Sequence, residues 1–190
     1  MSEFSESFHF PRSKRDEVAA KLKAAGMKGV LYGPSRSGWV TFVPYEGCNG
    51  HQFLAGVESQ FGGKLSALAQ NDVLEWVYAE DHEWHAILWR RGELVAHYAC
   101  DWNDDEVRVE ASDRAIAELA RLPAEPNADA ELRDALAEDV DEDMLFEDEP
   151  PAYRFAQALG LPQYEWTSSQ YATVDAEAAP GDGGFAIGMP

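Results

Sequence analysis

Residues 73–102, VLEWVYAEDHEWHAILWRRGELVAHYACDW, set three apolar-rich runs, 73–79, 84–90 and 93–100, on either side of two short polar breaks. Runs of this length, separated by Glu80-Asp81-His82-Glu83 and by Arg91-Gly92, predict an antiparallel meander. Two-residue loops at Asp81-His82 and at Arg91-Gly92 would set Glu80 against Glu83 and Arg90 against Glu93, and the register then follows by counting. One face would carry Leu74, Trp76, Tyr78, His85, Ile87, Trp89, Leu94, Ala96 and Tyr98. The other would carry Val77, Ala79, Trp84, Ala86, Leu88, Val95, His97 and Ala99. Neither set is polar enough to lie open to water, so the sheet is expected to be covered on most of both faces, by helices or by a partner chain.

The segments before the meander supply candidate cover. Ser7-Phe8-His9-Phe10 alternates like a short strand, and Val18, Leu22 and Ala25 recur at helical spacing up to Gly26, after a capping-type start at residues 13–16. Residues 29–32 and 39–43 read as a hairpin around the turn formers of residues 33–38. Asn49-Gly50-His51-Gln52 has a capping-box pattern, with Phe53, Leu54, Val57 and Phe61 on one helical face and Gly62-Gly63 as a stop. Leu65 to Ala69 is then expected as a strand. This order of elements over residues 7–79 resembles the ferredoxin-like βαββαβ sandwich. The fold expectation is therefore α+β: an antiparallel sheet of ferredoxin-like βαββαβ element order, extended by the β-meander (73–102) and followed by C-terminal helices.

Beyond the meander, Ser112 is placed to cap a helix bearing Ile116, Leu119 and Leu122. Leu132, Leu136, Val140 and Met144 recur every four residues inside a strongly acidic tract, which predicts one amphipathic helix over 128–146. Tyr153, Phe155, Ala156 and Leu159 mark another helix ending at Gly160, before the aromatic segment 161–166. The expected organisation is a sheet core at 1–111, a helical part at 112–174 packing on that core, and a tail at 175–190 that is mobile unless Phe185 and Ile187 dock on a neighbour.

Charge narrows the function classes. The formal net charge is −20, which argues against nucleic acid or an anionic membrane as a direct partner, since both need a basic footprint. Residues 124–150 hold twelve acids against Arg133, while residues 1–40 hold seven Lys or Arg against four acids. No apolar run reaches bilayer length and the start lacks a secretory apolar stretch, so a cytoplasmic protein is expected. Cys48 and Cys100 are too few for a disulfide framework.

Motifs with chemistry are sparse. His82, His85, His97 and Cys100 are metal-ligand types, but residues three apart on a strand face opposite ways, and the counted register parts His85 from His97. Asp101 to Glu106 is oxygen-rich without the glycine of a calcium loop. No nucleophile elbow, phosphate loop or dinucleotide fingerprint occurs, so no catalytic residue, metal ligand or cofactor is assigned. The binding candidates are Trp76, Tyr78, His85, Trp89 and Tyr98, aromatic anchors with polar handles on one expected face. These readings converge on an acidic protein that acts by binding another protein, with a basic partner, as an inhibitor or immunity-type protein does. The alternatives are a small-molecule binding or sensing domain with its pocket on the aromatic face of the meander, and self-association as a homodimer.

Overall fold

The computed structural model describes residues 3–45, 61–103, 106–137, 139–168 and 184–188. Those residues form an eight-stranded antiparallel sheet with six helices, a mixed α+β fold. The first half runs β1 (Phe4–Phe10), α1 (Arg15–Ala24), β2 (Gly29–Tyr32), β3 (Val40–Pro44), α2 (Phe61–Ala69) and β4 (Asp72–Ala79). The meander continues with β5 (Glu83–Arg90), β6 (Glu93–Asp101) and β7 (Arg108–Ala111). The last part is α3 (Asp113–Leu119), α4 (Asp129–Ala135), α5 (Glu142–Leu145), α6 (Pro151–Leu159) and β8 (Phe185–Ile187). Across the sheet the order is β7-β6-β5-β4-β1-β3-β2-β8, so β1 lies in the interior between β4 and β3.

Both faces of the sheet are covered, as the sequence of the meander requires. Leu74, Trp76, Tyr78, Trp84, Ala86, Leu88, Tyr98 and Cys100 form one core with Leu119, Leu132, Phe155 and Leu159 from the C-terminal helices. Phe8, Phe10, Phe42, Val73, Ile87 and Trp89 form the second core with Val18 and Leu22 of α1 and Leu65 of α2. Both strand periodicity and helical stripes are satisfied by this sandwich of helices, sheet and helices.

Two local departures turn one strand of the meander over. The β4–β5 connection is three residues, 80–82, and Ala79 pairs with Glu83, Tyr78 with Trp84 and Val77 with His85. The β5–β6 turn is the expected Arg91-Gly92, with positive φ of 54° and 92°, and Arg90 pairs with Glu93. A bulge then takes Val95 out of the ladder, since Trp89 pairs with Leu94 but Leu88 with Ala96. Each departure shifts the register by one residue, and the two cancel across β5. Trp76, Tyr78, Ala96 and Tyr98 therefore share a face as counted, while His85, Ile87 and Trp89 exchange places with Trp84, Ala86 and Leu88.

Further corrections come from the helices. Leu65 to Ala69 is not a strand but the second half of α2, with Leu65 and Ala69 buried one turn apart. Gly62-Gly63 does not stop a helix; both glycines lie inside α2, where a Cβ on Gly62 would meet the Trp89 indole and the Glu75 carboxylate. The capping box at residues 49–52 and the stripe through Phe53, Leu54 and Val57 lie outside the described residues, as does Cys48. The acidic stripe is two helices, α4 and α5, rather than one; Leu132 and Leu136 are buried as expected, but Asp141 begins a new helix by accepting from the Asp143 N–H, and Leu145 is buried in place of Met144. Like charges packed along one helix weaken it, and a break relieves them. Ser112 caps α3 through the Ala115 N–H at 3.2 Å, and Gly160 ends α6 at φ 67°. In the C-terminal tail, Phe185–Ile187 docks as β8 on the edge of β2. Among the described residues no helix is long and apolar enough to cross a membrane.

Candidate functional site

The five residues singled out in the sequence are divided between the two faces. Trp76, Tyr78 and Tyr98 lie under the C-terminal helices, and His85 and Trp89 lie on the side of α1 and α2. The first three are packed closely. The Trp76 ring stands 6.1 Å from Tyr78, 6.4 Å from Tyr153 and 5.9 Å from Tyr164, and Tyr98 stands 4.7 Å from Trp84. Tyr98 donates its hydroxyl to the Ala137 carbonyl at 2.9 Å. Burial raises the phenol pKa of Tyr78, helped by the Glu80 and Glu3 carboxylates, and burial likewise raises that of Tyr98. This layer is the floor on which α6 and the segment after it rest. On the opposite face Trp89 donates its indole N–H to the buried Glu75 carboxylate at 2.8 Å.

Turning β5 over brings together residues that the counted register kept apart. His85 and His97 are stacked with ring centroids 5.3 Å apart, and His85 Nδ1 lies 3.0 Å from His97 Nε2. On its other side His85 Nε2 lies 3.2 Å from Glu83 Oε2. Glu83 and His85 are buried, whereas His97 is half-buried. Burial, and then the neighbouring His85, hold the His97 imidazole down at about 4. Which ring nitrogen of each histidine carries the proton sets the donor in the 3.0 Å contact. Cys100, by contrast, belongs to the opposite core, and burial pushes its thiol up to about 12. Among the described residues no three His, Cys, Asp or Glu side chains are arranged to hold a metal ion.

A cleft of about 320 Å³ opens at the end of the sheet where β4 turns into β5. Asp81 and His82 reach it from that turn, Trp102 and Asn103 from the end of β6, Glu106 and Val107 from the run into β7, and Glu142 and Phe146 from α5 and its C-terminal cap. The Trp102 N–H donates to the His82 carbonyl at 2.9 Å, which ties the two β-turn ends together. Asn103 is held by Asp101, whose Oδ1 accepts from its backbone N–H at 2.8 Å. Among the described residues the lining holds three carboxylates and no lysine or arginine, and Glu106 is paired with Arg108 at 3.1 Å.

Two aromatic side chains of the cleft are left with chemistry unspent. Trp102 is only 8% exposed, and among the described residues its indole Nε1 meets no hydrogen-bond acceptor. Phe146 is 64% exposed and belongs to neither core. A bare aromatic ring beside carboxylates is a feature that an incoming group covers. Sequence alone carried one signal for this site, the interruption of the acidic tract by an aromatic residue; the rest depends on three separate loops meeting. The chain matches no protein-family model, no curated protein and no solved structure.

Proposed function

We propose that this chain acts by binding a protein partner with a basic contact surface, as an inhibitor or immunity-type protein does. The observation that carries the reading is the cleft: carboxylates from three separate segments, without a lysine or arginine among its described lining residues, beside the exposed Phe146. The exposed acids of α4 and α5 add to the same negative charge, and the net charge of −20 speeds encounter with a basic surface. A small-molecule pocket on the aromatic face of the meander draws less support, because Trp76, Tyr78 and Tyr98 are buried against other rings. The strand order β4-β1-β3-β2, with α1 and α2 as its crossovers, supports a further reading of this half as a ferredoxin-like unit to which β5–β7 and β8 are added. A cytoplasmic setting goes with the buried free thiol of Cys100.

The test is affinity capture from the cells that make the chain, at low and high salt. The wild-type chain should retain a basic protein that high salt releases, and a variant with Glu142, Asp143, Glu147, Asp148 and Glu149 changed to amides should not retain it. Retention of the same protein by that variant, or recovery only of neutral and acidic proteins, would overturn the proposal.

A further inference from the structure

We infer that the outer edge of β7 joins the same edge of a second copy of this chain, antiparallel about a two-fold axis through Val109, so that the two sheets run on as one. The inference stands on the sheet edge and is independent of the binding reading above. β7 ends the strand order, and among the described residues no main-chain hydrogen bond reaches it except from β6. The helix that follows, α3, turns back over β6. An open edge is a template for another strand, and charges of one sign along it keep a second copy away. β7 carries both signs. Arg108 and Glu110 lie two apart on one exposed face, while Val109 and Ala111 pack on the first core.

The ladder with β6 decides which registers are open. Alternate residues of an antiparallel strand turn both main-chain groups to the same side, so only every second residue of β7 is free to bond outwards. Two copies then match only where the axis passes through a residue, never between two. Through Arg108 the axis sets arginine against arginine, and through Glu110 it sets glutamate against glutamate, both repulsive. Through Ala111 it runs the pairing into Ser112, the cap of α3. Through Val109 it sets Arg108 against Glu110 twice, with valine on valine between them. Asp101 is already the neighbour of Arg108 on β6, so each arginine then lies between two carboxylates in a row across the seam. The Arg108–Glu106 pair at 3.1 Å is exposed on both sides and yields readily. The opposite edge, β8, is Phe185–Ile187 and has no charged residue to choose a register.

Sedimentation of the whole chain at physiological ionic strength tests this, because salt screens the repulsion between two chains of −20 beyond about 8 Å while side chains that face each other lie closer. The wild type should dimerise with a dissociation constant in the micromolar range. Arg108→Glu and Glu110→Arg each place like charges opposite one another on both sides of the axis, and each should weaken the dimer about tenfold or more. The double variant Arg108→Glu/Glu110→Arg should recover it. An equimolar mixture of the two single variants should form a mixed dimer, since every facing pair is then of opposite charge. Urea unfolding checks that each variant folds. Glu110 faces Ala99 on β6, so Glu110→Arg carries the test alone should the reversal beside Asp101 disturb the fold. A wild type that stays monomeric at millimolar concentration, a dimer that Glu110→Arg does not weaken, or folded single variants that do not pair with each other would overturn the inference.

Discussion

His9 is completely buried in the interior strand β1, with Nε2 2.9 Å from Ser7 Oγ, Nδ1 2.8 Å from Thr41 Oγ1, and its ring edge-on to Trp39 at 6.4 Å. A neutral imidazole satisfies both hydroxyls, and burial lowers its pKa from 6.5 to about 3. The folded chain therefore refuses a proton that the unfolded chain takes up below about 6.5. Stability from this group is complete above that value and falls as pH drops toward 3, on the order of 1 kcal/mol per pH unit. Urea unfolding at pH 7 and pH 5 should show this loss, and His9→Asn, which keeps a donor and an acceptor without titrating, should flatten it. An unchanged pH slope in the variant would remove His9 as the cause. Ser5, Ser7 and Glu6 share this burial although their sequence reads as a polar start. Ser5 and Glu6 have partners distant in the chain: Thr167 donates its backbone N–H to the Ser5 hydroxyl at 3.0 Å, and Glu6 donates its backbone N–H to the Thr167 carbonyl. Burial of a polar residue is set by such partners, which no local pattern announces.

At the scale of elements, α2 shows how two glycines act inside a helix. The turn bearing Gly62-Gly63 lies against the Trp89 indole, and an added Cβ at Gly62 would stand 2.4 Å from the Trp89 ring and 2.5 Å from Glu75 Oε2. Gly62→Ala should therefore destabilise by about 1–3 kcal/mol despite alanine's better helix propensity, because the ring is buried and hydrogen-bonded. Chemical denaturation reads this directly; a gain in stability would mean that the helix shifts freely. The sequence made the glycines visible but not their meaning, since a helix stop and a close approach use the same residue. The meander was legible for a related reason: its breaks are marked by polar and Gly-containing turns, whereas the Val95 bulge is marked by nothing. That single unmarked residue, with one extra in the first turn, decided whether His85 meets Trp76 or His97. The candidate cleft was less legible still, being assembled from the ends of elements whose own patterns concern their buried sides.

For the molecule as a whole, charge and core act at different places. The two cores are built from apolar and aromatic residues on opposite sides of one sheet, while the acids gather on exposed positions of α4, α5 and the segment after them. Self-repulsion at a net charge of −20 opposes the compact state, and added salt screens it. Moderate sodium chloride should then raise the thermal midpoint, by about 2–4 °C for each ~1 kcal/mol recovered in a chain of this size. Calorimetry at low and moderate ionic strength tests this, and a falling midpoint would show that attractive ion pairs outweigh the repulsion. The binding proposed above and the stability thus respond to salt in opposite directions.

Glu3 is buried beside β1 and accepts from Ser5, from the Tyr153 hydroxyl and from the Trp166 backbone N–H at 2.7 Å. On a ribosome those last two donors emerge long after β1 has been made. Until then the carboxylate must stay in water, and the strand cannot take its interior place without stranding a charge. A nascent chain halted before Tyr153 would carry that defect however well its meander had formed. Synthesis past Trp166 is thereby a condition for burying the residue that leads into the first strand.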